Sequence, residues 1–300
     1  MEILAVGNAN IDITVFVECV PEPDEDVDVT SAVVGVGGSA SNFAVACSRL
    51  GAKSAILAVV GDDPLGRYYL EEMAKRGVDT RLVRIGSGVT TGFVVIINEL
   101  GKQRRMLRAR GANLLLNGEV LQEASPDIKR AEVLHASSVR LRIARKLGEI
   151  RPGFSWDPGW RAVTESRQEV LELLNKVGRL FLNELEAMKL SGEENVVDAA
   201  MALSERGVPE VVVKRGSRGA LVCLEGRVLE APALRVKAVD TTGAGDVFDA
   251  AYTVARLRGM TPQQALRAAN VAAGLAVTKA GATEGIPSWN ELCDVLEQSE

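Results

Sequence analysis

The sequence predicts an α/β fold built around a largely parallel sheet. Short apolar runs of strand length alternate with longer amphipathic segments over most of the 300 residues, the pattern left by helices that cross between parallel strands. No repeat of roughly 20–50 residues and no Pro- or Ser-rich linker divides the chain, so residues 1–300 are expected to form one domain.

Residues 3–6, 55–60, 92–97, 133–134, 180–182 and 211–213 are apolar runs that read as strands. Residues 42–50, 66–76, 165–175, 196–206, 246–256 and 261–279 read as amphipathic helices. Two stretches depart from the alternation. Residues 13–36 set an acidic turn, Pro21-Glu22-Pro23-Asp24-Glu25-Asp26, between two β-prone runs. Residues 90–110 do the same around Glu99-Leu100-Gly101-Lys102. Both read as β-hairpins without crossover helices. Together they could form a small separate sheet, placed as a lid over a site on the main body. Their edge strands would be open to pairing, and a homodimer through the lid is expected.

Composition narrows the function. The chain is 47% hydrophobic and 25% charged, ordinary for a globular protein. Its formal net charge is -5 and its pI about 5.3, so it lacks the basic excess that nucleic-acid coating needs, and no nucleic-acid partner is expected. Cys19, Cys47, Cys223 and Cys293 are far apart, and His135 is the only histidine. A Cys/His zinc site is therefore not expected. Widely spaced thiols fit a reducing, cytoplasmic setting. No signal peptide is visible, and no apolar run reaches the roughly 18 residues of a membrane span.

Residues 236–256 carry the strongest chemical signal. A strand leads into Asp240-Thr241-Thr242-Gly243-Ala244-Gly245-Asp246, and a helix follows. Small residues let backbone N–H groups converge at a helix N-terminus, where the dipole also favours an anion. The Asp246 carboxylate sits where it could face that anion and accept a proton from a nucleophile. The pair suits phosphoryl transfer to a hydroxyl. A tight turn with Asp as a helix cap is the simpler alternative.

A second cluster, Gly35-Val36-Gly37-Gly38-Ser39-Ala40-Ser41-Asn42, precedes another helix. Gly37 and Gly38 allow close approach of a ligand to the backbone, and Asn42 adds a donor and an acceptor. Gly35-x-Gly37-x-x-Ala40 with Asp62 imitates a dinucleotide fingerprint. It follows a hairpin, however, and not the first strand of a βαβ unit. No Gly-x-x-x-x-Gly-Lys-[Ser/Thr] occurs, which excludes a P-loop kinase.

The two glycine segments resemble the two signature patterns of the ribokinase-like (PfkB-type) carbohydrate kinases. The first match runs from Gly37-Gly38-Ser39-Ala40-Ser41-Asn42-Phe43-Ala44 to Gly51 and Gly61, and the second from Asp240-Thr241 through Gly243-Ala244-Gly245-Asp246 to Ala250-Ala251. The resemblance extends from Asn10 and Asp12 to Gly281-Ala282. It implies a three-layer Rossmann-like ribokinase fold with a small β-sheet lid, and an ATP-dependent kinase acting on a small sugar, polyol or nucleoside.

The resemblance also implies roles. Asp246 would deprotonate the acceptor hydroxyl, and the amides of Gly243, Ala244 and Gly245 would form an anion hole. Asn10, Asp12, Gly38, Ser39, Asn42 and Arg108 would line the acceptor site. Asn183 and Glu186 match an Asn-x-x-Glu that organises Mg2+ and phosphate through water; helix capping is the alternative. Lys214-x-Gly216-x-x-Gly219 would turn over the nucleotide phosphates, with Lys214 where similar enzymes have Thr. Asn270 would border the adenine. Backbone near Asp240, Thr242, Ala276 and Gly281 matches a monovalent-cation loop, suited to K+.

His135 reads as a packed histidine, and Trp156 and Trp160 as packed against the domain body. The acceptor stays open. Ser39 replaces the Lys of ribokinase proper, and Ser138 stands near the place of an acid. Phe16, Phe43 or Phe93 could supply an aromatic wall for a nucleoside. Arg104, Arg105, Arg108 and Arg110 could grip a carboxylate or phosphate, or simply solvate a lid strand. On a strand, Arg104, Arg108 and Arg110 would share one face and Arg105 the other. A catalytically inactive nucleotide- or sugar-binding regulator is the alternative from outside enzymology.

Overall fold

The first strand, Ile3–Gly7, is buried along its whole length, as a strand covered on both sides must be. Its side chains divide between two cores. Ile3 and Ala5 join Phe43, Tyr252 and Leu266, whereas Leu4 and Val6 join Trp156, Leu190 and Leu203. The period-2 geometry of a strand makes that division and defines a three-layer architecture. The computed structural model describes residues 1–99, 101 and 104–298. Leu100 and Lys102, which the sequence places in the second hairpin turn, lie outside the described residues.

The strands in chain order are β1 (Ile3–Gly7), β2 (Asn10–Val17), β3 (Ser31–Gly37), β4 (Ser54–Leu57), β5 (Val59–Gly61), β6 (Arg84–Gly86) and β7 (Gly92–Glu99). They continue as β8 (Arg105–Ala109), β9 (Val133–Ser137), β10 (Phe154–Asp157), β11 (Val177–Asn183), β12 (Glu210–Lys214), β13 (Ala220–Leu224) and β14 (Arg227–Ala231). The main sheet has eight strands in the order β14-β13-β12-β11-β10-β9-β1-β4. From β12 to β4 every pair is parallel, and β13 and β14 close one side as antiparallel strands.

A second sheet, β3-β2-β7-β8, has four strands. It consists of two antiparallel hairpins joined by parallel pairing of β2 with β7. Thr91, at the entry to β7, ties it to the body. Its N–H and hydroxyl donate to Asp63 at 2.8 and 2.6 Å, and its oxygen accepts from Gly61 N–H at 2.9 Å.

Three local expectations are corrected. The 55–60 run is two strands, β4 in the main sheet and β5 paired with β6, because a uniformly apolar run has no period to mark where it leaves one sheet for another. The 165–175 helix is interrupted at Ser166, giving Gly159–Glu165 and Arg167–Leu173. The last long helix ends at Ala276, three residues short of expectation. Gly35 and Gly37 lie on β3, antiparallel to β2, and so lack the parallel-strand setting of a dinucleotide site.

Candidate active site

The C-terminal ends of β1, β9, β10, β11 and β12 face one edge of the main sheet, where open α/β sheets bind ligands. Asp157, Asn183 and Lys214 end the last three of these strands. The helix Ala244–Leu257 starts beside them. Its N-cap, Gly243, has a φ of 74°, and no side chain caps the first turn. A Cβ on Gly243 would come within 2.8 Å of Ala282 O, so glycine is required both by the dihedral and by the space. The Ala244 N–H makes a 3.3 Å contact to Thr241 O that tightens the loop.

Asp246 lies in that first turn. Asn42 Nδ2 donates to its Oδ2 at 2.8 Å. Burial pushes the Asp246 carboxyl up to about 7, against the opposing Asn42 and Ser39 hydrogen bonds, and Asp157 adds to the rise. A carboxyl in that range can gain and lose a proton near neutrality. Asn42 Oδ1 is buried without a partner among the described residues.

Two cavities open on either side of the residues that flank Asp246. The larger, about 710 Å³, is lined by Asn8, Asn10, Gly38, Ser39 and Arg108 among others. The smaller, about 310 Å³, is lined by Gly216, Gly219, Ala244, Gly245, Phe248 and Asn270 among others. Ser39, which bonds Asp246, lines the first; Gly245, its neighbour in the chain, lines the second. Asn270 donates to Ala231 O at 3.0 Å.

Asn10 is held by Asn113, whose Nδ2 donates to Asn10 Oδ1 at 2.8 Å. Asp12 packs against the bare backbone of Gly37, where a Cβ would fall 2.2 Å from the carboxyl. Burial raises Asp12 to about 6, with Arg108 opposing the rise. Glycine at 37 thus makes room for Asp12.

Lys214 is already engaged. Its Nζ donates to Asp157 Oδ2 at 2.9 Å and to both Asp249 oxygens at 2.9 and 3.0 Å. Burial works against the ammonium, but the two carboxylates hold it protonated well above the usual lysine range. Burial would also raise Asp157, and Lys214 overrides it and keeps that carboxyl low. Asp249 is pushed up by burial and hydrogen-bonds to Asp157. The sequence reading missed Asp157, Asp249 and Asn113. Asp249 was findable, since it follows Asp246 by three residues and shares its helix face.

Asn183 and Glu186 form a capping box, with Glu186 N–H on Asn183 Oδ1 at 2.9 Å and Asn183 N–H on Glu186 Oε2 at 2.8 Å. Burial, then the nearby Asp157 charge, raises Glu186 to about 7. The crowded negative charge suits a divalent cation. Among the described residues no three acidic, His or Cys side chains converge on one ion.

Asp240 accepts from Thr242 N–H, the Thr242 hydroxyl and Gly281 N–H at 2.9, 2.7 and 3.0 Å. The residue after Ala276 accepts from the backbone of residues 239 and 240 at 2.7 and 3.2 Å, so the four positions of the candidate cation loop are brought together. Arg104 reaches from the small sheet to Thr242 Oγ1 at 2.6 Å.

His135 is buried, hydrogen-bonded to Ser155 and Ser137 at 2.9 and 2.8 Å, and stacked on Phe43 at 3.8 Å. It is a packed residue. Trp156 is buried as expected, but Trp160 is 50% exposed and lines the larger cavity. That corrects the expectation that both tryptophans pack against the body: Trp160 stands on the helix that begins at Gly159, one turn beyond the strand end. Arg105 pairs with Glu99 at 3.4 Å, while Arg108 and Arg110 line the cavity, in keeping with strand alternation.

The profile of the pfkB family carbohydrate kinases matches residues 1–289. The chain belongs to that family. A PfkB kinase is a phosphotransferase with an alcohol group as acceptor, and this chain is one. It is 28% identical to ribokinase of Haemophilus influenzae, over 98% of both chains. It is 30% identical to an ATP-dependent ribose-1-phosphate kinase of Halopiger xanaduensis, over 94% of both. Among solved structures, Arabidopsis thaliana ribokinase complexed with ribose and ATP superposes with a TM-score of 0.88 at 26% identity, covering 98% of each chain. The family match thus takes in the strands of the small sheet as well as those of the main one.

Proposed function

We propose that this PfkB kinase transfers the γ-phosphoryl group of ATP to a hydroxyl of a small sugar or sugar-like polyol. Asp246 carries the proposal: an ionisable carboxylate stands at a helix N-terminus without a side-chain cap, bonded to Ser39 of the larger cavity and next in the chain to Gly245 of the smaller. The acceptor occupies the larger cavity, against Asn10, Asp12, Gly38, Ser39, Asn42 and Arg108. The adenine takes the smaller, mostly apolar one, bordered by Asn270, with Gly216 and Gly219 beside the phosphates. ATP is bound by the Arabidopsis relative, and the same donor is assigned here.

In the transfer, the acceptor oxygen bonds to the γ-phosphorus and its proton passes to Asp246. The bond from that phosphorus to the bridging oxygen breaks, and ADP leaves. The amides of Gly243 and Gly245, and that of Ala244, whose contact to Thr241 O is long at 3.3 Å, would face the charge on the transferred group. Lys214 works at one remove, its ammonium 3.5 Å from where a Gly245 Cβ would stand. Mg2+ would neutralise phosphate charge, held through water near Glu186 and Asn183. K+ would sit in the loop of Asp240, Thr242, Ala276 and Gly281 and steady the anion hole.

A nucleoside acceptor is the second reading, and the cavity favours a sugar. Phe43 is spent on His135, and Phe16 and Phe93 do not line the cavity, which leaves Trp160 as its aromatic wall. An inactive regulator would have no chemical need for Asp246. The small sheet serves as the lid, through Arg104 on Thr242. Its exposed Val33, Val34 and Leu107 are the surface proposed for a homodimer, which light scattering would detect. No described helix is long and apolar enough to cross a membrane, and four unpaired cysteines suit the reducing cytoplasm.

The test is ADP release from ATP and Mg2+ against a panel of sugars, polyols and nucleosides. Acceptor-dependent release with a sugar supports the proposal. Release with nucleosides alone would replace it with the second reading.

A further inference from the structure

The larger cavity is unbalanced in charge. Arg108, Arg110, Arg140 and Arg161 line it, against Glu165 and Glu169. Both carboxylates are already taken. Arg161 bonds Glu165 twice, at 2.9 and 3.1 Å, and Glu169 faces Arg145 at 3.6 Å. Arg108 and Arg110 have no carboxylate within the 4.0 Å of an ion pair among the described residues. Asp12 reaches Arg108 only through its field, and Glu165 reaches Arg110 in the same way.

Arg140 adds a second observation. Its Nη2 is fixed by the carbonyls of Asn113, Leu114 and Leu116 at 3.3, 2.8 and 2.8 Å. That clamp leaves Nε and Nη1 for a ligand and sets the guanidinium plane in advance. Burial weighs on its charge first, then the neighbouring Arg142, and Arg110 adds like charge from the lid side. Guanidiniums brought together from the lid and the body, one of them immobilised, are costly without an anion between them. Asn10, Gly38 and Ser39 line the part of the same cavity nearest Ser39's bond to Asp246, where the carbons and hydroxyls of an acceptor would lie.

We infer that the acceptor is an anionic sugar, whose phosphate or carboxylate is gripped by Arg108, Arg110 and Arg140 while a hydroxyl at its other end faces Asp246. This rests on the kinase reading above and narrows its substrate class. Both anions present paired oxygens to a planar guanidinium fork.

The test compares D-ribose, ribose 1-phosphate, ribose 5-phosphate and gluconate as acceptors with ATP and Mg2+. Calorimetric titration of each acceptor without nucleotide runs alongside. An anionic sugar is expected to exceed ribose in kcat/KM by about 100-fold, as two or more charge-assisted contacts would give. Preference for the phosphates over gluconate assigns a phosphate, and the reverse a carboxylate. Arg110→Gln and Arg108→Gln, both at exposed positions, should each raise KM for the anionic sugar about 10- to 100-fold and leave KM for ATP unmoved. Ribose turned over as well as every anionic sugar would overturn the inference, as would arginine variants with unchanged KM. If nothing is phosphorylated, the kinase reading fails separately. Tight calorimetric binding of an anionic sugar, lost in Arg110→Gln, would still uphold the anion grip, and no binding would end it.

Discussion

Asn42 donates to Asp246 across 2.8 Å, joining residues 204 positions apart in the chain. The bond couples the first glycine cluster to the second and sets the ionisation of the base. Burial raises Asp246 to about 7, and Asn42 restrains the rise. Protonated Asp246 cannot accept the acceptor proton, so kcat/KM should fall as pH drops below about 7. Removing the donor in Asn42→Leu favours the neutral acid and moves that limb upward by up to about one pH unit. A pH–rate profile of the two proteins checks the direction; a downward move would contradict the coupling.

Asp246→Asn keeps the shape and removes the base. Turnover should fall by about 10²- to 10⁴-fold with the Kd for ATP nearly unchanged, measured by calorimetry beside a coupled assay. Undiminished turnover would dismiss Asp246 as the base.

Lys214 neutralises Asp157 and Asp249 from within the protein, at 2.9 Å to each. Lys214→Met leaves two buried carboxylates without their cation, at a cost of about 3–5 kcal/mol. Adding Asp249→Leu should return part of that loss, since one of the orphaned acids is gone. Urea denaturation of the single and double variants tests this. A double variant no more stable than the single would show that the pair does not act as a unit.

Gly243 holds a φ of 74° with Ala282 O on its open side. Gly243→Ala should cost about 1–2 kcal/mol from the dihedral alone. Displacement of the 243–245 amides should lower kcat by at least about tenfold. Thermal melts and steady-state rates together separate the two effects.

His135 is kept neutral by burial, which lowers it from 6.5 to about 3. As pH falls through 6.5 the unfolded chain takes up this proton first. The stability His135 contributes is therefore complete above the unfolded value and is lost towards the folded one. Between roughly pH 6.5 and 4 the loss is about 3 kcal/mol. In His135→Gln, which can still bond Ser137 and Ser155, the difference from the parent should narrow by that amount across the window. A constant difference in urea midpoints would mean the imidazole titrates freely.

The alternation of apolar runs and amphipathic helices was enough for the α/β class, because burial on both faces of a parallel strand leaves a mark in every local window. Both glycine segments were equally legible. Gly243 and Gly38 both hold positive φ, 74° and 96°, so local backbone demands wrote those residues into the chain. For Asn183-Glu184-Leu185-Glu186 the alternative reading, helix capping, is the one whose geometry the fold displays.

What the linear order could not carry was the meeting of side chains from different elements. Lys214 reads as a free cation near phosphate until β10 and the Ala244–Leu257 helix bring Asp157 and Asp249 against it. Trp160 reads as core until its helix turns it towards the cavity. The tertiary structure alone decided which arginines kept their charge for a ligand: Arg105 spends its own on Glu99 and Arg161 on Glu165, while Arg108, Arg110 and Arg140 face a common space. Backbone conformation is imposed by neighbours in sequence and can be read there. Electrostatic balance depends on distance through space, which only the folded chain fixes.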